Sequence, residues 1–171
     1  MTADPPGVRR STDEVVADLH REHALTLVRM ANLLLRDRQA AEDVVQGAFL
    51  SLYRALPRLH DHDRILPYLR TAVINNARSA LRRQRTRPAP VLHELPGGSA
   101  EAAVLDRADR AAVLAAVVRL PRRSREVLVL RYYLDLPDPE IAATLGVSRG
   151  TVTSTASRAL AALGRQLKEE S

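Results

Sequence analysis

The stretch that decides the fold is residues 138–167, with the sequence DPEIAATLGVSRGTVTSTASRALAALGRQL. Asp138 predicts an N-cap, and Pro139 suits the first turn of a helix, where a missing backbone N–H is tolerated. Gly146 supplies the positive φ of a tight turn, and Ser148 predicts the N-cap of a second helix. The stretch therefore predicts a helix, a three-residue turn and a longer helix, which is the layout of a DNA-reading helix-turn-helix.

The two predicted helices have different inner and outer faces. Apolar residues at helical spacing predict the inner face, which comprises Ile141, Ala142, Leu145, Val147, Val152 and Ala156. Hydroxyl and arginine side chains suit phosphates and base edges, and they predict the DNA-binding face of the second helix. These candidate residues are Ser148, Arg149, Thr151, Thr153, Ser154, Ser157 and Arg158. A helical hairpin in an ordinary bundle is the alternative for the same pattern.

Arginine dominates the charge of the chain. The 171 residues include 26 lysines and arginines against 20 aspartates and glutamates, which gives a net charge of +6, and Lys168 is the only lysine. Guanidinium groups pair bidentately with phosphate and with guanine, so the composition favours a polyanionic partner such as DNA. A role of the charge in solubility alone is the alternative.

The sequence contains neither cysteine nor a long apolar run. The absence of cysteine excludes disulfides, thiolate metal sites and a cysteine nucleophile, and it is compatible with a reducing cytoplasm. No stretch approaches the roughly 18 continuous apolar residues of a membrane span, and Asp4, Pro5 and Pro6 do not suit a secretion signal. We therefore expect a cytoplasmic protein with no membrane contact and no cofactor.

Helical periodicity extends through most of the chain. Ser11 and Glu14 predict a capping box, and apolar spacings of three and four predict helices at about 11–35, 39–56, 67–81, 106–119 and 122–134. The segment 86–102, by contrast, is rich in proline and glycine, which predicts a flexible linker. We therefore predict an all-α fold of two small helical domains, at 11–85 and 103–168, joined by that linker.

Three segments follow one another in a specific order: AEDVVQ at 41–46, ALRRQR at 80–85, and the helix-turn-helix. In this order and spacing the chain resembles a bacterial RNA polymerase sigma factor of the small, two-domain extracytoplasmic-function (ECF) group. The resemblance covers about residues 15–166. It implies a transcription initiation factor that binds core RNA polymerase and directs it to promoters by sequence-specific DNA binding, without catalysing a reaction.

The resemblance assigns polymerase binding to the second helix, which would dock on a coiled coil of the largest polymerase subunit. The matching residues are Glu42, Asp43, Val44 and Gln46. Asp43 and Gln46 are three apart and share a helix face, so a carboxylate and an amide can meet arginines of a partner helix. Matching of the helix dipole by carboxylates in the first turn is the alternative. Gly47 departs from the family, which usually has an acidic residue there.

The resemblance assigns the minus-ten promoter element to the polar loop 60–64, which would capture an unpaired base, and to the third helix. The matching residues are His60, Arg64, Tyr68, Arg70, Asn75, Arg78, Arg82 and Arg83. Asparagine offers a donor and an acceptor to a base edge, tyrosine can stack on a base, and arginines bind phosphates. A solvated basic face is the alternative. His60 and His62 lack an obvious third ligand, so no metal site is expected.

The resemblance assigns the minus-thirty-five element to the helix that begins at Ser148. Family members often have Thr-Val-Lys-Ser-Arg where this chain has TVTST at 151–155, so two cations are replaced, at Thr153 and Thr155. A plot of the logarithm of the binding constant against the logarithm of salt concentration has a negative slope. Each lost phosphate contact makes that slope shallower by about 0.9. The arginines that are candidates to compensate are Arg122, Arg123, Arg125 and Arg149.

Three other classes of protein fit parts of the sequence. Residues 146–150, GVSRG, match the G-x-S-x-G pattern of serine hydrolases, but that motif needs a preceding strand, and a helix is predicted here. A stand-alone regulator of the response-regulator type would bind DNA by itself, usually as a dimer. The third class is an adaptor that binds polymerase but not DNA. The sequence leaves open whether an anti-sigma factor is a further partner.

Overall fold

The computed structural model of the chain describes residues 10–84 and 103–169. In these ranges every regular element is helical, so the predicted all-α fold is confirmed. The α-helices are α1 (Thr12–Leu35), α2 (Arg38–Ala55), α3 (Ile65–Gln84), α4 (Ala103–Arg119), α5 (Arg122–Leu128), α6 (Asp138–Leu145) and α7 (Arg149–Glu169). Short 3-10 turns at Leu56–Arg58 and His62–Arg64 precede α3, and a π-helical turn at Val129–Tyr133 continues α5. None of the described helices is long and apolar enough to cross a membrane.

Local capping signals set the first two helices. Ser11 Oγ accepts a hydrogen bond from the Glu14 N–H at 3.2 Å, and Glu14 Oε2 accepts one from the Ser11 N–H at 2.8 Å, so the predicted capping box is confirmed. The chain leaves α1 at Arg36, which adopts a left-handed φ of 59°. Asp37 Oδ1 then caps α2 by accepting from the Ala40 N–H at 3.0 Å. The chain therefore turns within two residues, and α2 packs back against α1.

The predicted helix-turn-helix is present as α6 and α7. Gly146 has a φ of 67°, and the Val147 N–H donates to the Ala142 carbonyl at 3.0 Å, which closes α6. Ser148 Oγ accepts from the Thr151 N–H at 3.1 Å and so caps α7, as predicted. Of the predicted inner face, Val147 is half-buried, and the buried members are Ile141, Ala142, Leu145, Val152 and Ala156.

The prediction that Asp138 caps α6 is wrong. Pro137 occupies the N-cap position without a side-chain hydrogen bond, and Asp138 is the first helical residue. Its carboxylate instead accepts hydrogen bonds from the Arg131 guanidinium and from Thr153 Oγ1, the latter at 3.1 Å. The Arg131 hydrogen bond holds the pKa of Asp138 below its ordinary value. Asp138 therefore ties α6 to its neighbours in the chain and does not satisfy backbone donors.

The helices form two bundles that pack against each other. The N-terminal bundle comprises α1–α3 and the C-terminal bundle comprises α4–α7; α3 contacts α6, and α1 contacts α4 and α5. One apolar core runs through both bundles. Fully buried members of this core include Met30, Leu52, Leu69, Leu130, Ile141 and Val152. The predicted linker at 86–102 lies outside the described residues, and the domain limits 11–85 and 103–168 stay a prediction.

Replacing Leu69, which is fully buried on α3, with alanine should lower the free energy of unfolding by about 2–5 kcal/mol, because the change leaves a cavity in the shared core. Leu25→Ala is the control, since Leu25 is largely exposed on α1 and should change stability by less than about 0.5 kcal/mol. Urea unfolding followed by circular dichroism measures both. Equal midpoints for the two variants would contradict the position of Leu69 in the core.

Candidate polymerase and nucleic-acid interfaces

The outer face of α2 presents the predicted docking residues, with one exception. Asp43 and Gln46 are exposed. Gln39 Nε2 donates to Asp43 Oδ1 at 3.1 Å, which helps to fix the carboxylate. Val44 is only 6% exposed and belongs to the apolar core, so it is not part of the outer face, and its assignment to polymerase binding stays a prediction. Its carbonyl accepts from Asn76 Nδ2 at 3.2 Å, which attaches α2 to α3.

The carboxylates of α2 are not explained by the helix dipole. Because Asp37 caps the helix, α2 starts at Arg38 and its first turn contains no acidic residue. Glu42 lies one turn further along, where Arg38 Nε donates to Glu42 Oε1 at 2.9 Å. Dipole stabilisation decays within the first turn, so the acidic character of this face has another origin.

Two apolar residues of the same face were missed by the sequence reasoning. Leu50 is 59% exposed and Tyr53 is 46% exposed. They follow Gln46 at spacings of four and seven, so both lie on the face that carries Asp43. In the sequence, both positions are at helical spacing from Gln46 and lie outside the apolar stripe of α2, and this pattern could have identified them. The outer face of α2, defined by Asp43, Gln46, Leu50 and Tyr53, is therefore polar at one end and apolar at the other.

Gly47 has a structural reason to be small. A Cβ built on Gly47 would lie 3.3 Å from Asn76 Nδ2, the atom that bonds the Val44 carbonyl. A larger residue would press on this contact between α2 and α3. Gly47 also lines an open groove of about 550 Å³ between the start of α2 and the end of α3. A side chain at this position would therefore require Asn76 to shift by a few tenths of an ångström.

The loop before α3 and the outer side of α3 expose most of the predicted minus-ten residues. The exposed members are His60, Arg64, Asn75, Arg82 and Arg83. Asp61 Oδ1 accepts from the Asp63 N–H at 3.0 Å, which stabilises the 3-10 turn inside the loop. Tyr68 is half-buried, and its hydroxyl donates to the Ser51 carbonyl at 3.4 Å, so its ring is held against α2.

Arg70 and Arg78 contact the C-terminal bundle in this structure, and their role as DNA contacts stays a prediction. Arg78 donates from Nε and Nη2 to the two carboxylate oxygens of Glu126, at 2.9 and 2.8 Å. Glu126 is only 2% exposed, and its hydrogen bonds raise the pKa of Arg78. Arg70 Nη1 lies 3.1 Å from Glu140 Oε2 on α6.

Arg125, one of the arginines predicted to compensate for missing DNA contacts, is held by backbone carbonyls in this structure. Its Nη1 donates to the Leu34 carbonyl of α1 at 2.7 Å. Its Nη2 donates to the carbonyls of Val118 and Leu120 at 2.6 and 3.1 Å. Burial lowers the pKa of Arg125. The side chain therefore joins the two bundles and is not available to phosphates.

The predicted DNA-binding face of α7 is exposed at all seven positions, which are Ser148, Arg149, Thr151, Thr153, Ser154, Ser157 and Arg158. Thr155 is only 6% exposed, so its position belongs to the inner face. Of the two replaced cations, only the one at Thr153 therefore belongs to the exposed face. Thr153 Oγ1 donates to Asp138 Oδ2 at 3.1 Å, which places a carboxylate beside this face.

Two weaker motifs of the sequence gain no support from the geometry. Ser148, the serine of the hydrolase-like pattern, lies between two helices and caps the second. Within residues 10–84 and 103–169, no group of three or more histidine, aspartate or glutamate side chains is arranged to hold a metal ion.

The N-terminal bundle and the C-terminal bundle each match the model of a known family. Residues 19–87 match the family model described as Sigma-70 region 2, and residues 110–163 match the one described as Sigma-70, region 4. The chain belongs to the sigma-70 family of RNA polymerase sigma factors, in its ECF group. It is therefore a transcription initiation factor that directs RNA polymerase to promoters, and the stand-alone regulator is not favoured.

Curated relatives match the chain over most of its length. It is 34% identical over 142 residues to the RNA polymerase sigma-E factor of Streptomyces avermitilis, covering 83% of this chain and 79% of that protein. It is 33% identical over 170 residues to the ECF RNA polymerase sigma factor SigM of Mycobacterium tuberculosis, covering 98% of this chain and 82% of that protein.

Solved structures share the fold. CnrH, solved in complex with the cytosolic domain of CnrY, is 27% identical, with a TM-score of 0.71 and coverage of 93% of this chain and 91% of that one. The sigma factor RpoE of Bartonella quintana is 23% identical, with a TM-score of 0.70 and coverage of 88% of this chain and 97% of that one. At this identity the likeness shows that the fold is shared.

Replacing Thr153 with lysine should strengthen the salt dependence of promoter binding, because it adds a cation to the exposed face of α7. The logarithmic salt slope of the polymerase complex on a promoter fragment should steepen by about 0.9 for one added phosphate contact. Thr155→Lys is the matched control, since Thr155 is buried and its replacement should lower stability without this change in slope. An unaltered slope for Thr153→Lys would contradict a phosphate contact at this position of α7.

Proposed function

We propose that this sigma factor docks on core RNA polymerase through the outer face of α2 and reads one promoter element with each bundle. The observation that carries the proposal is the composition of that outer face. A carboxylate and an amide stand beside two exposed apolar side chains on a helix whose other side is fully packed. Exposed apolar residues next to fixed polar groups are typical of a protein-binding surface.

The partner that fits this face is the coiled coil of the largest polymerase subunit. A coiled coil offers a long helical ridge, and Asp43 and Gln46 can bond to basic side chains on it. Leu50 and Tyr53 extend the contact by about two turns with apolar area, and tyrosine is among the residues enriched at binding hot spots. Polar groups then fix the register, while the apolar end supplies desolvated area.

DNA binding is divided between the bundles in this proposal. The loop 60–64 with Asn75, Arg82 and Arg83 of α3 would read and melt the minus-ten element. The exposed face of α7 would bind the minus-thirty-five element, with Arg149 and Arg158 as its cations. Two weak contacts on one polymerase-bound chain gain strength from a high effective concentration, so neither bundle needs to bind DNA tightly alone.

An anti-sigma factor is a further proposed partner. The related CnrH is solved with the cytosolic domain of CnrY bound. A protein that covered the outer face of α2 in this chain would compete with core polymerase for the same exposed residues. Such competition would be measured as loss of polymerase co-elution when the partner is added.

The test replaces Asp43 with arginine and Gln46 with alanine in one variant. Affinity for sigma-free core polymerase should fall by at least about tenfold, since contacts of this kind contribute roughly 1–2 kcal/mol each. Co-elution with core polymerase and promoter-dependent transcript initiation measure the effect. Glu22→Arg is the control, because it reverses a charge at an exposed site on α1 and should leave both readouts unchanged. Intact co-elution of the double variant would contradict the assignment of α2.

A further inference from the structure

The carboxylate of Asp138 connects three segments of the C-terminal bundle. Asp138 is the first residue of α6. Its Oδ1 accepts a hydrogen bond from Arg131 in the π-helical turn, and its Oδ2 accepts one from Thr153 Oγ1 on α7 at 3.1 Å. The carboxylate therefore joins the start of the helix-turn-helix to the exposed face of its second helix.

The hydroxyl group of Thr153 is already engaged on its protein side. Thr153 Oγ1 lies 3.1 Å from Asp138 Oδ2 and 3.1 Å from the Arg149 carbonyl oxygen, and both of these atoms are acceptors. A threonine hydroxyl has a single proton to donate, and these two acceptors share it. A DNA phosphate is a third acceptor, so it would have to displace the carboxylate to bind this hydroxyl. Thr153 is therefore poorly suited to bind phosphate.

The γ-methyl group is the part of Thr153 that remains for a ligand. A threonine Cβ carries one hydroxyl and one methyl group, and a bond from the hydroxyl to the carbonyl four residues back selects one χ1 rotamer in a helix. Here the hydroxyl is turned toward the α7 backbone and toward α6, while the residue itself is exposed. The exposed face of α7 is therefore apolar at this point.

Arg131 allows a carboxylate to lie beside a DNA-binding face. An unpaired aspartate at this place would repel the phosphates of bound DNA. Arg131 donates to the carboxylate oxygen that Thr153 does not use, and both members of the ion pair are half-buried. The guanidinium therefore offsets the negative charge of Asp138 and leaves Oδ2 to orient Thr153.

We propose that Thr153 reads a thymine of the minus-thirty-five element through its γ-methyl group, and that Asp138 is the positioning residue that holds this methyl group toward the DNA. Thymine presents a C5-methyl group in the major groove, and threonine methyl groups recognise it by apolar contact. Thr153 lies four residues after Arg149, the first residue of α7, and the N-terminal part of a recognition helix reaches base edges. This inference rests on the proposed function of α7.

The inference gives a meaning to the replaced cation at this position. Lysine, which family members often have where this chain has Thr153, binds phosphate and carries no sequence information. A threonine that is oriented by Asp138 contacts a base instead. The chain thus exchanges a contact that is the same on every promoter for one that selects among promoters.

The experiment uses the full chain reconstituted with sigma-free core polymerase and a library of duplex DNA of random sequence. Sequencing of the bound duplexes gives the minus-thirty-five element of the wild-type chain. Each thymine of that element, on either strand, is then replaced with deoxyuridine, which lacks only the C5-methyl group. At one position this change should weaken binding by about threefold to fivefold, the loss expected for one buried methyl group.

Substitutions of Thr153 separate the methyl group from the hydroxyl group. Thr153→Ser removes the methyl group, so it should bind the thymine and deoxyuridine duplexes equally at that position. Thr153→Val keeps a methyl group and removes the hydroxyl, so it should retain the wild-type preference for thymine. Thr151→Ser is the matched control, because it removes a methyl group from another exposed threonine of α7 and should leave the preference at this position unchanged.

Asp138→Ala tests the positioning role. Without the carboxylate the Thr153 side chain is free to change rotamer, so the ratio of the affinities for thymine and deoxyuridine should fall toward one. Asp138→Ala combined with Thr153→Val should restore the ratio, because both γ carbons of valine are methyl groups and valine needs no hydrogen bond for orientation. Such recovery separates loss of orientation from loss of the fold, which would persist in the double variant.

The outcomes distinguish this inference from the proposed function. If a minus-thirty-five element is selected but no thymine in it depends on Thr153, the inference is wrong and the proposed function of α7 stands. A full preference for thymine in Asp138→Ala would contradict the positioning role of Asp138. If the selected sequences contain no element that changes in Arg149→Gln combined with Arg158→Gln, α7 does not read DNA, and the proposed function of this helix is itself wrong.

Discussion

A carboxylate buried between two helical bundles must stay next to a cation, and this constraint on Glu126 organises the whole molecule. Its bidentate pairing with Arg78 fixes α3 against α5 in register. Removing one partner of such a buried pair by substitution typically costs about 3–5 kcal/mol, because the other charge is left buried without a counterion. Glu126 and Arg78 therefore depend on each other while the two bundles are packed together.

The two proposed functional faces of the N-terminal bundle differ in their availability. The outer face of α2 is exposed and contains fixed polar groups beside apolar ones, whereas α3 presents some of its arginines to solvent and others to the C-terminal bundle. A contact between α2 and α3 helps to keep the outer face of α2 exposed. Gly47 lets Asn76 bond the Val44 carbonyl, which holds α2 on α3 and leaves Asp43 and Gln46 pointing outward.

Much of the fold could be predicted from the sequence because its signals are local. The capping box at Ser11, the positive φ at Gly146 and the cap at Ser148 each involve residues within a few positions of one another, and all three are confirmed. Asp138 shows the limit of such reasoning. Its carboxylate was expected to bond adjacent backbone donors, but it bonds Arg131 and Thr153, which lie 7 and 15 positions away in the sequence.

The individual roles of the arginines could not be predicted, because the partner of an arginine is set by the tertiary fold. Arg78, Arg70 and Arg125 bond residues 48, 70 and 91 positions away, a separation that no local pattern encodes. The arginine-rich composition favoured a polyanionic partner. It could not distinguish the arginines that are exposed from those that join the two bundles. The burial of Thr155 could not be predicted either, because it depends on how α7 packs against the other helices.

The measurement that tests the account most directly is the accessibility of the outer face of α2 in one chain, alone and bound to sigma-free core polymerase. The chain has no cysteine and Leu50 is exposed, so the reactivity of a single cysteine introduced by Leu50→Cys reports on this face alone. The account predicts a large loss of reactivity once the polymerase is bound. Unchanged reactivity in a complex that initiates transcripts would contradict it.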